Sequence, residues 1–160
     1  MDGGIYGCPA AWKALLPPGA VRVRGKRTLR KRRWGVLALT PEGCGRLYDT
    51  GGALSCELLL LPGDCAAERL PHLQTPRAVS YGLSPRDSLT FSGLREPVLC
   101  VQRTLRVPGG ATIEPGEIPV PWLPAPVEAY LPLLGLWLLS PSSVPDEGRR
   151  RRRQWVWGWG

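Results

Sequence analysis

A chain of 160 residues with 43% hydrophobic side chains is long enough for one hydrophobic core and too apolar for a wholly disordered polymer. Its formal charge of +8 is uneven: residues 1–33 hold nine basic side chains and one acidic, residues 146–160 five and two, residues 34–145 seven and ten. The basic excess therefore belongs to the two ends, which excludes reading the pI near 9.8 as a property of the middle of the chain.

Residues 1–33 contain Met1-Asp2-Gly3-Gly4 and Pro17-Pro18-Gly19, then a basic run from Lys26 to Arg33. Their periodic apolar content is low, so the expectation is a disordered basic N-terminal extension with a helical turn or two over Ala10–Leu16. Met1–Ala20 is broken by Lys13 and Pro17-Pro18, unlike a secretory leader, and the expected location is cytoplasmic.

The fold is expected over residues 34–140. Gly35–Thr40 reads as a strand ended by Pro41-Glu42-Gly43, with a short helix after it. Ser55–Leu61 reads as a buried strand, followed by Pro62-Gly63 and by Asp64 as the N-cap of a short helix through Leu70. Ala78–Leu83 and Ser88–Ser92 are two more strands, divided by the turn composition Ser84-Pro85-Arg86-Asp87. Pro97–Val107 predicts a longer strand, turned by Pro108-Gly109-Gly110 into Ala111–Glu114 as a hairpin, and Glu117–Trp122 another strand. Six prolines from Pro115 to Pro132 make that connection rigid.

Val127–Ser140 is the strongest helix signal and is apolar nearly all round, hence buried. Its apolar part, Ala129–Leu139, is roughly half the length a membrane span needs and contains Pro132, so no span is expected. From Pro141 onward the sequence predicts a disordered Arg/Trp-rich tail. The fold class is therefore α/β: a small mixed, partly parallel sheet with a few covering helices and a C-terminal β-hairpin.

The chemistry-bearing residues are sparse. Five cysteines without a C-x-x-C pair, and a single histidine, His72, do not complete the usual zinc spacings, so neither metal nor cofactor is expected. Cys65 follows Asp64 at an expected helix start, where a thiolate is favoured, but the adjacent carboxylate opposes it and a structural thiol is the simpler reading. Asp64, Asp87, Glu114 and Glu117 are explained as cap and turn residues rather than as an acid/base pair. No catalytic residue is assigned.

From Ser55 to Ser140, the strand and loop ending in Asp64, the Tyr81-Gly82 pair with Asp87 after it, the hairpin, and Glu117-Ile118-Pro119-Val120 before an apolar helix resemble the closing part of the central domain of Mur-type peptidoglycan ligases. The resemblance implies an ATP-binding ancestry and places ligand contacts at Asp64, Tyr81, Gly82 and Asp87. The chain departs from that pattern at Asp64, which lacks the preceding Asn, and at Pro126-Val127-Glu128, which carries neither Asn nor His. It also lacks a phosphate-cradling G-x-x-x-x-G-K-[ST]; the comparable Thr40–Leu47 has no Lys and puts Glu42 where phosphate would sit. ATP-driven ligation is not expected.

The expectation is a non-catalytic α/β domain binding a small ligand or a protein partner through Thr40–Gly45, Pro62–Cys65 and Tyr81–Asp87, at the carboxyl ends of the strands. The first alternative is nucleic-acid association through the basic arms, with Lys26, Arg27, Arg30, Lys31, Arg32 and Arg33 in the N-terminal one. The second is a small enzyme with its site on the same strand-end loops.

Overall fold

In the computed structural model, which describes residues 2–140, Gly3–Tyr6 forms a strand, β1, with all four residues buried. It pairs in parallel on one side with β2 (Ala20–Val23) and on the other with β3 (Trp34–Leu39). The expectation of a disordered extension over residues 1–33 is thereby corrected: residues 3–33 supply two strands, a 3-10 segment at Ala10–Leu15 and a six-residue helix, α1 (Lys26–Lys31). Low apolar content is a poor guide here, because Gly4 fills a structural role that a larger side chain would block.

Gly4 lies beneath the indole of Trp34, where an added Cβ would stand 2.7 Å from the ring. Gly3 faces the opposite side, within ordinary contact of Leu136. Trp34 is fully buried and its Nε1 donates to the Leu29 carbonyl at 3.0 Å, tying α1 to the start of β3.

The chain continues through α2 (Pro41–Leu47) into β4 (Ala53–Pro62), the longest strand, which pairs in parallel with β3. The helix expected between Asp64 and Leu70 is reduced to a 3-10 turn at Ala67–Arg69, and its cap residue is Ala66 rather than Asp64. Only Leu70 of that segment is buried at its end, too little apolar face to hold a longer helix. A strand missed in the sequence, β5 (His72–Gln74), pairs with the first part of β4, and β6 (Arg77–Tyr81) with the second.

β7 (Leu89–Phe91) is parallel to β6; β8 (Val98–Val101) is antiparallel to β7 and to β11 (Gly116–Pro119). The long strand expected over Pro97–Val107 is divided into β8 and β9 (Leu105–Arg106), the latter pairing with β10 (Thr112–Ile113) as the expected hairpin. The main sheet has nine strands in the order β11-β8-β7-β6-β4-β3-β1-β2, with β5 beside β4. It is a mixed sheet of an α/β fold, as its sequence pattern predicts.

Two cores flank the sheet. On one face α3 (Leu131–Leu139), preceded by a 3-10 turn at Val127–Tyr130, packs on Ile5, Val36, Ala38, Leu58, Leu60 and Leu89. Gly135 permits the close approach, because a Cβ there would run into Leu60. Trp12 stacks on Tyr130 with ring centroids 5.4 Å apart, and Trp137 Nε1 donates to the Leu15 carbonyl at 2.7 Å, so the N-terminal segment is fastened to α3. On the other face Leu29 of α1 and Cys44 and Leu47 of α2 cover Tyr6, Leu37, Leu39, Leu59 and Leu61. No described helix is long and apolar enough to cross a membrane. The tail expected over residues 141–160 lies outside the described residues.

Gly4→Ala tests whether β1 belongs to the core. The added methyl meets the fixed Trp34 ring, and the expected loss of stability is about 1–3 kcal/mol, read as a lower melting temperature. An unchanged melting temperature would contradict the placement of residues 3–6.

Candidate functional site

In a parallel sheet, ligands favour the carboxyl ends of strands at the point where strand order reverses. Here that point lies between β1 and β3, since β2 follows β1 on one side and β3 follows on the other. The loops that meet there are Gly7-Cys8-Pro9 and Thr40-Pro41-Glu42-Gly43.

The chain's own atoms fill this crevice. Thr40 caps α2, its Oγ1 accepting from the Gly43 amide at 2.9 Å, while the same hydroxyl lies 2.8 Å from the Gly7 carbonyl and 3.2 Å from the Tyr6 carbonyl. Pro41 opens the helix at a position where its missing N–H costs nothing. Gly43 lies against the Tyr6 carbonyl, and Gly7, at φ +90°, against the Gly43 backbone; a Cβ at either would land on main-chain atoms. Thr40 is itself buried. The place where a phosphate would rest on amides is thus a hydrogen-bonded seam between two loops.

The residues expected to contact ligand divide into two groups. Tyr81, Gly82 and Asp87 are brought together, with Gly63 beside them, at the ends of β4 and β6. Asp87 is 4% exposed, and its carboxylate lies where a side chain at Gly63 or Gly82 would stand. One oxygen, Oδ2, accepts from the Ser84 amide at 3.1 Å, and the Asp87 amide donates back to the Ser84 carbonyl at 3.0 Å, closing the turn. Gln102 Nε2 donates to the Asp87 carbonyl at 2.6 Å, so the end of β8 pins the same turn. Tyr81 is buried and its hydroxyl donates to the Leu39 carbonyl at 2.6 Å, joining β6 to β3. Burial, and then the negative charge that Cys44, Asp64 and Cys65 would carry, push the Tyr81 phenol well above its ordinary range.

Asp64 is the other group: it is exposed, in the loop after β4, and caps no helix. Sequence reasoning placed Asp87 correctly in a turn but did not show that Asp87 itself is buried while Ser84, Pro85 and Arg86 stay exposed. Thr40, read from sequence only as a strand end and loop residue, caps α2, and a Thr before a Pro is the signal that could have found it. The sealing role of Gly7 was not legible, since Gly7 fell in the segment expected to be disordered.

A sulfur cluster borders this edge. Cys44 on α2 and Cys65 after β4 have their Sγ atoms 3.5 Å apart, and the Tyr48 hydroxyl lies 3.7 Å from Cys65 Sγ while accepting from the Ala66 amide at 3.0 Å. Burial, then the neighbouring Cys65, raises the Cys44 thiol far above its ordinary value. Burial also raises Cys8 and Cys56. No group of three or more His, Cys, Asp or Glu that would hold a metal ion occurs among the described residues.

The basic run is the largest departure from expectation. Lys26, Arg27, Arg30 and Lys31 are exposed on α1, and Arg32 and Arg33 follow before β3. Arg30 is engaged with Thr50 Oγ1 and the Gly51 carbonyl, at 3.0 and 2.8 Å. Arg32 pairs with Asp2 at 3.0 Å and lies 4.1 Å over the Trp34 ring. Lys26, Arg27, Lys31 and Arg33 form no ion pair among the described residues. Leu29, fully buried, is the single side chain that anchors the helix. The cations are therefore presented on the folded domain and not on a loose arm.

Comparison of the chain with known protein families, with curated proteins and with solved structures found no match.

The seam at Thr40 predicts the behaviour of two substitutions. Thr40→Val keeps the shape but strands the Gly43 amide, and should cost about 1–3 kcal/mol. Thr40→Ser should keep most of the stability, as read by denaturant unfolding. Equal stability of the valine variant and the parent would show that the hydroxyl seals nothing.

Proposed function

We propose that the chain is a non-catalytic α/β binding domain that contacts a polyanion, nucleic acid by preference, through the basic surface of α1 and its flanks. The observation that carries this reading is the fixed placement of cations: residues 21–33 contain eight Lys or Arg and no Asp or Glu, on an edge strand and a helix anchored by Leu29. Cations on a rigid surface neutralise phosphates without first losing the conformational entropy of a loose arm. Edge-strand cations also deter pairing with other strands, a role that fits Arg22, whose Nε also donates to the Cys8 carbonyl at 3.2 Å, but not Lys26, Arg27 and Lys31 on the helix. The sealed crevice between β1 and β3 supports the same reading, because it removes the usual nucleotide position from contention. On this proposal the likeness to Mur-type ligases describes a reduced relative that keeps the scaffold without the phosphate loop.

A second reading has a protein or small-ligand partner on the loops after β3, β4 and β6. The exposed carboxylate of Asp64, beside the half-buried Cys65, favours it as a surface for a cationic partner, Glu42 being already paired with Arg46 at 2.6 Å.

One salt series separates the two. The full chain and a variant with Lys26→Ala, Arg27→Ala and Lys31→Ala are compared for retention of duplex DNA and of RNA as salt is raised. The variant should bind more weakly at every salt concentration, with the log–log salt slope reduced by about 3. All three side chains are exposed, so the fold should be unaffected. Equal slopes for the two proteins would overturn the polyanion reading at α1, and negligible retention by both would leave the strand-end loops as the contact surface.

A further inference from the structure

Cys44 and Cys65 are 21 residues apart in sequence and come from different elements, yet their sulfurs are in contact at 3.5 Å. The geometry points to a redox site: Cys44 and Cys65 form an intramolecular disulfide when the protein meets a hydroperoxide. The sulfurs would close from contact to a bond length of about 2.05 Å.

The two thiols are unequal in access. Cys65 is half-buried, in the loop after β4, and meets the oxidant first; Cys44 is 1% exposed and waits behind it. In the first step the Cys65 sulfur attacks hydrogen peroxide, the O–O bond breaks, and Cys65 sulfenic acid and one water form. In the second the Cys44 sulfur attacks the sulfenic sulfur, the S–O bond breaks, and the departing hydroxide leaves as water with the Cys44 proton. Two thiols and one peroxide give one disulfide and two waters, the peroxide being reduced and both sulfurs oxidised.

The neighbours favour this outcome over random oxidation. The Tyr48 hydroxyl, itself held by the Ala66 amide, keeps the Cys65 sulfur oriented beside Cys44. The other cysteines have no such arrangement among the described residues: Cys8 and Cys56 are buried without a sulfur contact, and the Cys100 thiol is directed to the Val98 carbonyl at 3.8 Å. The disulfide would join α2 to the loop after β4, two neighbouring elements of the strand-end edge, and would fix the spacing between them. This site is independent of the basic surface of α1.

The reduced full chain is treated with hydrogen peroxide, quenched, and its free thiols are labelled under denaturing conditions. Free thiols should fall from five to three, returning to five after dithiothreitol. Fragmentation of the digest should place the link between Cys44 and Cys65. Cys65→Ser, at a half-buried position, should abolish the link, whereas Cys100→Ser should leave it intact. Oxidation of Cys65 to sulfinic acid without a link, or a link to any other cysteine, within or between chains, would overturn the assignment.

Discussion

The indole of Trp34 lying over Gly4 is the contact on which the middle of the sheet depends. β1 can run between β2 and β3 only because Gly4 has no side chain, since the Trp34 ring lies where its Cβ would stand; at Gly3, on the opposite side, a Cβ would make only ordinary contact with Leu136. With β1 in place, Ile5 and Tyr6 enter the two cores on opposite faces, and the sheet becomes continuous from β2 to β11. Without it, β3 would present an open edge of backbone donors and acceptors in the centre of the molecule. The placement of α1 follows, since Trp34 Nε1 holds the Leu29 carbonyl and Leu29 holds the helix.

That same arrangement explains what was legible. β3, β4, β6, β7 and the apolar helix at Leu131–Leu139 declare themselves as runs of apolar residues bounded by turns, because each buries its side chains in a contiguous stretch. β1 does not, because Gly-Gly-Ile-Tyr has poor strand propensity and earns its place through absence of bulk. α1 was obscured by the cations around it: one buried leucine among exposed charges resembles a solvated extension until Trp34 is seen beneath it. Tyr81, Gly82 and Asp87 could be grouped from sequence because seven residues contain them all. Cys44 and Cys65 could not be paired, since only the parallel crossing from β3 to β4 brings them together.

At the strand-end edge, buried polar groups are used to close the fold. Thr40 joins the loops after β1 and β3, the Tyr81 hydroxyl joins β6 to β3, and Asp87 closes a turn against Gly63 and Gly82. Each bond engages a backbone amide or carbonyl at a strand end or turn. The side chains that resemble a site in sequence are thus largely occupied in holding loops. Among the side chains not used in this way are the exposed cations of α1, outside the edge, and the paired sulfurs of Cys44 and Cys65 beside it, where the proposed binding surface and the proposed redox site lie.

Residues 3–6 form an interior strand of the sheet, and hydrogen exchange of their amides tests that placement most directly. As a strand bonded on both sides, β1 should exchange on the slow timescale of β3 and β4, with protection lost only when the whole domain opens. Exchange of those amides at the rate of an unfolded chain, while β3 and β4 remain protected, would contradict the account.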